Sequence, residues 1–334
     1  MALSCRSLSA DHLYLYPNGV RLEDTIEAAQ EIGFHFFPNR GAMSIGESDG
    51  GLPPDALVEK EARILEDCIR VLDAFHDPSP KSMLRVGIAP CSLFSVSRDL
   101  MRDTALLARD EGVFLHTHLA ENDEDIAYSL EKFGCRPEQY AEDLAWTGAD
   151  VLHVHCVKLD AKEISLFSKS QTGVAHCPCS ICRLGSGIAP LCEMRDARVP
   201  LGLGVDGPAS NDLGNLMDEA RQAMLLQRVW QGADAMSARE ALEIATRGGA
   251  DVLGRPECER LAVGKRADIA IWDVSGVESA GSWDPAALVL SGPNKVRELI
   301  VEGRFVVRDG QLCSTDLETL IGHQNRLVQK LING

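Results

Sequence analysis

Short apolar runs alternate with helix-like stretches as far as about residue 250, and this alternation is what most limits the folds open to the chain. The runs are mostly apolar throughout, as expected for parallel strands whose sheet is covered by helices on both faces. Repeated strand–helix units predict a parallel sheet, either open or closed into a (β/α)8 barrel. The predicted strands span 33–37, 84–89, 113–118, 151–155, 173–176 and 201–205, and the predicted helices span 54–75, 98–111, 124–133, 162–169 and 216–230.

Polar and reactive residues stand at the carboxyl ends of these predicted strands. A barrel builds its active site at that end from several strands, whereas a doubly wound sheet concentrates its site at one switch point. No G-x-G-x-x-G follows a strand, and GLGVDG at 202–207 is a weak phosphate loop because no lysine follows it. The barrel is therefore the predicted fold. The strand-end residues are Arg40, Cys91, His118, His155, His176 and Asp206.

The pattern of apolar runs and turn residues changes after about residue 260. Segments 267–273, 296–301 and 304–308 are predicted to be short strands, separated by turn signals such as Glu302-Gly303. A helical pattern then closes the chain. We therefore predict a barrel over 1–258, a small β unit over 259–312 and a C-terminal helix over 313–334.

Two predicted strands end in similar motifs, HTH and HVH. Because side chains alternate along a strand, only the second histidine of each motif, His118 and His155, reaches the mouth of a barrel. Glu121 follows His118 by one short turn, close enough to exchange protons with a water molecule. Asp206 ends a third apolar run. Half-buried histidines and a helix-capping aspartate are the plain alternative, but His, His and Asp on three strand ends favour a divalent-metal site.

A competing interpretation comes from PCSIC at 178–182, a literal P-C-x-x-C. This is half of the signature of zinc nucleobase deaminases of the cytidine-deaminase type, which also requires an upstream H-x-E. The chain contains H-x-x-E at 118–121 and no H-x-E, and two cysteines three apart arise easily by chance among eleven. Thiolate-bound zinc is therefore the weaker interpretation here. Serine catalysis is weaker still, because no G-x-S-x-G occurs.

The charge balance and the cysteines bear on partners and location. The chain has 33 basic against 50 acidic residues, a formal charge of −17, so DNA or RNA is repelled on average. No apolar run is long enough to span a bilayer, and MALSCRSLSADHLY lacks the apolar core of a signal peptide. Eleven scattered cysteines without a secretory signal favour reduced thiols. We expect a cytoplasmic enzyme with no nucleic-acid or membrane partner.

Four segments in this order resemble the amidohydrolase superfamily: HTHLAE (116–121), HVHC (153–156), HCPCS with RLGSGIAP (176–190) and LGVDGPASND (203–212). The set is most similar to the chlorohydrolase and aminohydrolase branch, which acts on guanine-like, pterin-like and triazine rings. LAVGKRADIAIWD (261–273) resembles the C-terminal β-sandwich of those enzymes. DHLYLYPNG (11–19), FFPNRGAMSIGESDGGLPPD (36–55) and RVGIAPCSLFSVS (85–97) resemble 8-oxoguanine deaminases in particular.

The resemblance implies a metal centre at the strand ends. His118 and Asp206 would bind one Zn²⁺, with Fe²⁺ as an alternative metal, and His155 would stand beside the metal-bound water. Asp206 would also take a proton from that water, while Glu121 would carry a proton to the substrate ring. Glu121, His155 and Asp206 are thus the implied catalytic residues. Zinc would lower the pKa of its water toward about 7.

The resemblance also implies a substrate, a small heterocyclic molecule of the 8-oxoguanine type. Arg40, Cys91, Glu121 and His155 would contact the ring. Metal-bound hydroxide would attack the ring carbon that bears the amino group, and ammonia would leave. Relatives that deaminate nucleosides carry histidine where this chain has Cys91, which argues against a nucleoside substrate. The alternative substrates are isoxanthopterin or a triazine ring.

The sequence departs from the resemblance at its start. Members of the superfamily carry a metal-binding H-x-H pair on the first barrel strand, but no H-x-H precedes residue 116, and His12 and His35 stand alone. We therefore expect a barrel that lacks strand one, followed by a remnant of the β-sandwich. Such a barrel should bind zinc weakly, so we also expect the 334 residues as given to be inactive or nearly so.

Two smaller departures lie at the expected site. Ile181 replaces an asparagine of the relatives, and Pro208 stands where a small residue is usual. Together with the absent H-x-H, they leave a degenerate, non-catalytic barrel as the alternative to an enzyme. Relatives are commonly homo-oligomers, but the sequence does not set a number of subunits.

Overall fold

The computed structural model describes residues 2–80, 82–211, 213–292 and 295–333. Seven parallel strands form one sheet, and their spatial order follows the chain from β1 to β7. The strands are β1 (Leu8–Leu13), β2 (His35–Ala42), β3 (Gly87–Pro90), β4 (Leu115–Leu119), β5 (Val151–His155), β6 (Gly173–His176) and β7 (Leu201–Leu203). A parallel sheet in sequential order, with helices between its strands, confirms the predicted α/β barrel class.

Helices cover the sheet, and the one predicted over 54–75 begins only at Glu61. Pro53 and Pro54 hold the backbone before them extended, and a separate 3₁₀ turn, Asp55–Leu57, precedes the helix. The helices are α1 (Leu22–Ile32), α2 (Glu61–Phe75), α3 (Arg98–Glu111), α4 (Asp123–Phe133), α5 (Pro137–Asp143), α6 (Ala161–Ser170), α7 (Pro178–Leu184), α8 (Leu191–Asp196), α9 (Leu216–Gln231), α10 (Ala238–Glu243), α11 (Gly249–Val252), α12 (Pro285–Ser291) and α13 (Leu317–Asn333).

The first and last strands of the sheet line the same cavity, of about 910 Å³. Ala10 and His12 of β1 face this cavity, as does Leu203 of β7. The cavity extends from His118, at the carboxyl ends of the strands, to Asp268 beside a second sheet. Among the described residues the parallel sheet is therefore a curled half-barrel with a slot between its two end strands, as predicted.

The second sheet is small and antiparallel, with the order β11-β10-β9-β8. Its strands are β8 (Ile269–Asp273), β9 (Lys295–Val301), β10 (Arg304–Arg308) and β11 (Gln311–Leu312). α13 follows it and contains no buried residue. The predicted boundaries at 258/259 and 312/313 stay predictions. Within the parts of the chain that the structure describes, every helix is too short or too polar to cross a membrane.

Candidate active site

The carboxyl ends of β4 and β5 and the turn after β7 bring three ligand side chains together. One ligand atom from each of His118, His155 and Asp206 lies within 4.8 Å of the other two. His155 and Asp206 have left-handed φ angles of 72° and 61°. This conformation costs a non-glycine residue roughly 1 kcal/mol or more, and such strain is concentrated at functional sites. The backbone is therefore strained at these two residues, and this strain orients their side chains towards the site.

His118 is oriented by the neighbouring strand. Its Nδ1 lies 2.7 Å from the backbone oxygen of Cys91, and because a carbonyl only accepts, Nδ1 must carry the proton. The other nitrogen, Nε2, then has a free lone pair, which is the arrangement found in metal-binding histidines. The thiol of Cys91 also lies at this end of the sheet, with Sγ 3.9 Å from His118 Nδ1.

Asp206 is held as a carboxylate. Its Oδ2 accepts hydrogen bonds from the hydroxyls of Ser180 at 2.5 Å and Ser210 at 2.6 Å, and Oδ1 accepts one from the backbone N–H of Gly207 at 2.7 Å. Burial by itself raises the pKa of Asp206, but these hydrogen bonds outweigh it and leave the pKa below the usual value. Asp206 is therefore ionised at neutral pH and able to bind a cation or accept a proton.

His155 completes the group as a neutral ring. Burial, followed by the nearby His118, lowers the pKa of His155 well below its ordinary value. Its Nδ1 is buried and has no hydrogen-bond partner among the described residues. Two neutral imidazoles and one carboxylate, with an orphaned ring nitrogen among them, form a donor set that suits Zn²⁺. The residues present therefore fit the metal that the sequence implies.

Glu121 lies next to His155, with Oε2 3.8 Å from His155 Nε2. Burial raises the pKa of Glu121 to about 7, and the carboxylates of Asp125 and Asp206 add to the effect. At neutral pH this side chain can therefore both hold and release a proton, as a general acid or base must. The structure thus brings Glu121, His118, His155, Asp206 and Cys91 together.

Arg40 binds side chains outside this group. Its guanidinium donates to Asp67 Oδ2 at 2.6 Å and to Glu59 Oε2 at 2.8 Å, and it stacks over the ring of Tyr16 at 4.4 Å. Carboxylates of its own chain therefore hold Arg40 on the α2 side of the sheet. Its predicted contact with the substrate ring stays a prediction that this arrangement does not favour.

Two residues that were not among the predicted site residues lie against the metal-binding group, namely His12 in β1 and Tyr14 just after it. The ring of His12 stacks on that of His118 with centroids 4.8 Å apart, and the ring of Tyr14 meets His118 edge-on at 5.9 Å. His12 Nε2 lies 2.8 Å from the backbone oxygen of Ala89. The combination of polar and aromatic residues in DHLY could have indicated site residues at this position. Hydrophobic periodicity did not predict a strand there, because the segment is largely polar.

His176, the buried last residue of β6, is expected to make the metal-free chain sensitive to acid. Burial lowers the pKa of His176 to about 4, whereas the unfolded chain binds this proton near pH 6.5. Between these values the unfolded state holds more protons, so stability falls as the pH drops. We expect the unmodified chain to lose roughly 3 kcal/mol more than His176→Asn between pH 7 and pH 4. Urea unfolding in the presence of chelator measures this, and equal losses in the two chains would contradict it.

Comparison with known proteins gives a consistent result. The model of the amidohydrolase family matches residues 8–306. The chain is 39% identical to 8-oxoguanine deaminase of Pseudomonas aeruginosa, in an alignment covering 100% of this chain and 75% of the relative. It is 37% identical to isoxanthopterin deaminase of an unknown prokaryotic organism, over 97% of this chain and 72% of the relative.

Solved structures show the same fold. A triazine hydrolase variant superposes with a TM-score of 0.93 at 33% identity, covering 98% of this chain and 73% of that chain. The zinc complex of atrazine chlorohydrolase from Arthrobacter aurescens TC1 also gives a TM-score of 0.93 at 33% identity, covering 98% and 74%. The similar proteins therefore act on purine, pterin and triazine rings, as their names state.

Proposed function

The chain belongs to the amidohydrolase family and is a hydrolase acting on carbon–nitrogen bonds, as predicted, and from this we propose that it deaminates an oxidised purine of the 8-oxoguanine type. One observation carries the proposal: His118, His155 and Asp206 converge at the strand ends, with a proton-carrying Glu121 beside them. Identity of 39% to an 8-oxoguanine deaminase along the whole of this chain supports the class of ring.

A divalent metal is supported by this donor group and by the zinc complex of a relative. We assign Zn²⁺ to His118 and Asp206, with His155 beside it, and retain Fe²⁺ as the alternative. When bound, zinc supplies Lewis acidity that makes water a nucleophile near neutral pH.

The side chains of this chain then divide the proton transfers. In the proposed reaction the oxygen of water bonds to the ring carbon that bears the amino group. Asp206, ionised by its hydrogen bonds, accepts a proton from that water. Glu121, which holds a proton near neutral pH, delivers it to the ring nitrogen, so that negative charge does not build up on the ring. Asp206 then returns its proton to the amino group, which leaves as ammonia when the carbon–nitrogen bond breaks. The new hydroxyl group gives its proton back to Glu121 and becomes a carbonyl, and His155 orients the water.

Two further residues are proposed to contact the ring. Cys91 Sγ lies 3.9 Å from His118 Nδ1, so a planar ring seated beside the metal would meet this thiol. Arg40 would have to exchange its contact with Glu59 or Asp67 for one with the substrate. We therefore rank Cys91 above Arg40 as a determinant of which ring is accepted.

Isoxanthopterin and triazine rings form the second candidate substrate class. The chain is 37% identical to isoxanthopterin deaminase and 34% identical to hydroxydechloroatrazine ethylaminohydrolase of Pseudomonas sp. strain ADP. The same donors would serve these rings, because each bears a leaving nitrogen on an electron-poor carbon. The choice between the classes therefore depends on the pocket and not on the metal-binding group.

Ammonia release from a panel of heterocycles tests the proposal. The panel contains 8-oxoguanine, guanine, isoxanthopterin, an alkylaminated triazine and adenosine. We expect 8-oxoguanine to give the highest kcat/KM and adenosine to give no detectable turnover. The panel is run on the 334-residue chain and on a fusion in which the N-terminal segment of the Pseudomonas aeruginosa relative precedes it. The fusion is included because no H-x-H pair precedes β4 in these residues.

The outcomes separate the candidates. Highest turnover of isoxanthopterin or the triazine would replace the purine assignment. No turnover of any ring by a folded, zinc-loaded fusion would favour the non-catalytic barrel. Faster turnover by the fusion than by the 334-residue chain is expected if the metal needs further histidines. The cytoplasm stays the proposed location, which eleven free cysteines support, and homo-oligomerisation stays a prediction.

A further inference from the structure

A second group of metal-binding side chains lies at the opposite end of the parallel sheet. His35 is the first residue of β2, Cys258 ends a 3₁₀ turn after α11, and Asp268 immediately precedes β8. One ligand atom from each lies within 4.8 Å of the other two. The group therefore joins the amino end of a barrel strand to the small antiparallel sheet.

The side chains of His35 and Asp268 are in close contact, but they are poorly aligned for a hydrogen bond. His35 Nε2 and Asp268 Oδ2 are 3.0 Å apart, yet both atoms are buried and neither has a partner in hydrogen-bond geometry among the described residues. The side chains of these two residues are 0% and 3% exposed. Two such atoms, close together but misaligned with each other, are placed to face a common third atom.

Neighbouring groups prepare the site. The backbone N–H of Glu302 donates to Asp268 Oδ1 at 3.0 Å, which leaves Oδ2 directed at His35. Glu302 adopts a left-handed φ of 51° in the turn between β9 and β10, and its own Oε1 lies 3.6 Å from His35 Nε2. Ligand atoms about 2.0–2.3 Å from a tetrahedral zinc are roughly 3.4 Å from one another. The distances from His35 Nε2 to Asp268 Oδ2 and to Glu302 Oε1, 3.0 and 3.6 Å, are close to that value.

Three arginines lie near the group, and their positive charges would repel a metal ion. Each of them, however, binds acceptor groups of the chain. Arg255 binds Glu257 and the backbone oxygen of Ser82, and Arg266 binds Glu302 and the backbone oxygen of Pro80. Arg85 donates to backbone oxygens of Gly254 and Ser79. Their charges are thus shared with acceptors of the chain. Cys258 and Asp268 also line the 910 Å³ cavity, which gives an ion a path to the group.

We propose that His35, Cys258 and Asp268 bind a structural zinc ion, and that Glu302 becomes the fourth ligand by turning from Arg266 towards the ion. Imidazole nitrogen, thiolate and carboxylate are all zinc ligands, and a closed set of four ligands distinguishes structural zinc sites, which keep no open position for a substrate. The ion ties four stretches of chain together, namely the start of β2, the 3₁₀ turn Pro256–Cys258, the segment before β8 and the β9–β10 turn. It therefore fastens the small sheet to the barrel, and it does not depend on the proposed deaminase activity.

Cobalt substitution tests the proposal on the 334-residue chain carrying Asp206→Asn. This substitution removes a ligand from the site formed by His118, His155 and Asp206. We expect this chain, stripped with chelator, to bind one equivalent of Co²⁺ with a strong thiolate-to-cobalt absorption band. Cys258→Ser should abolish the band and weaken zinc binding at least about 100-fold. Cys91→Ser is the matched control, because Cys91 is the thiol beside the mouth histidines, and it should leave the band unchanged.

Thermal unfolding supplies the second measurement. Zinc should raise the Tm of the Asp206→Asn chain, because it binds the folded state alone, and should not raise the Tm once Cys258→Ser is added. Asp268→Asn removes a different ligand and should behave in the same way, so the test survives if either variant misfolds. A band that persists in Cys258→Ser, or one lost in Cys91→Ser, would overturn the proposal. Failure of the Asp206→Asn chain to bind any Co²⁺ would do so as well.

Discussion

Replacing Asp206 by asparagine is expected to lower kcat/KM for ammonia release by on the order of 10⁴-fold. The carboxylate serves twice in the proposed reaction, as a metal ligand and as the acceptor of a proton from water. Its two oxygens also accept three hydrogen bonds, from Ser180, Ser210 and Gly207. Asparagine has one acceptor oxygen, so it cannot satisfy these donors and face the metal as well. Zinc affinity at the mouth should fall at least about 100-fold.

The measurement compares ammonia release and zinc affinity, with and without the substitution, in the protein used for the panel of heterocycles. Asp234→Asn is the matched control, because Asp234 is exposed on the loop between α9 and α10 and should alter neither quantity. Circular dichroism confirms that both variants are folded. An Asp206→Asn enzyme that retained more than about a tenth of the activity would exclude Asp206 as the proton acceptor, since general base catalysis contributes about 10²–10⁴-fold.

Strand prediction succeeded where strands are buried on both sides. The predicted bounds 151–155 and 173–176 coincide with β5 and β6, whose apolar runs lie in the interior of the sheet. Hydrophobic periodicity did not predict β1, because LSADHL is largely polar. Its residues are mostly half-buried, since β1 pairs on one side only and faces the cavity on the other. This segment is a strand because it pairs with β2, and a local sequence pattern does not reveal such pairing.

The candidate site was predictable to the extent that it follows from strand periodicity. Alternation predicted His118 and His155 at the mouth and His116 and His153 one layer deeper. In the structure His118 and His155 lie close to Asp206. The stacking of His12 on His118 was not predictable, because it depends on where β1 lies. Roles for these residues stay proposals until the variants are measured.

The second group shows the limit of motif reading more sharply. His35, Cys258 and Asp268 share no spacing that a metal motif would use, since most of the barrel separates the first from the other two. Only the packing of the small sheet against the start of β2 brings the three together. PCSIC, in contrast, has the right spacing for zinc, yet no group of metal ligands among the described residues includes its cysteines. Spatial convergence is therefore the better criterion in this chain.

Replacing Glu121 by glutamine is expected to lower kcat by about 10²–10⁴-fold, with a much smaller change in KM. Glutamine keeps the size of the side chain and can still hydrogen bond to a ring, but it cannot carry a proton. Glu124→Gln is the matched control, because Glu124 is exposed one position into α4 and close in sequence. A kcat that falls equally in both variants would indicate a structural effect instead of a lost proton transfer.

The same substitution should stabilise the metal-free chain, and the sign follows from the pKa of Glu121. Burial raises that pKa from 4.5 to about 7, so the folded state binds the proton more tightly than the unfolded state. As the pH rises from 4.5 to 7, ionisation costs the folded state roughly 3 kcal/mol, and the cost persists at higher pH. Glutamine cannot ionise, so Glu121→Gln should be more stable by roughly this amount at pH 8, and the difference should vanish near pH 4.5. Urea unfolding at the two pH values measures it. A variant that is less stable at pH 8 would show that the folded protein stabilises the ionised carboxylate. Glu121 would then be an unsuitable proton donor at neutral pH.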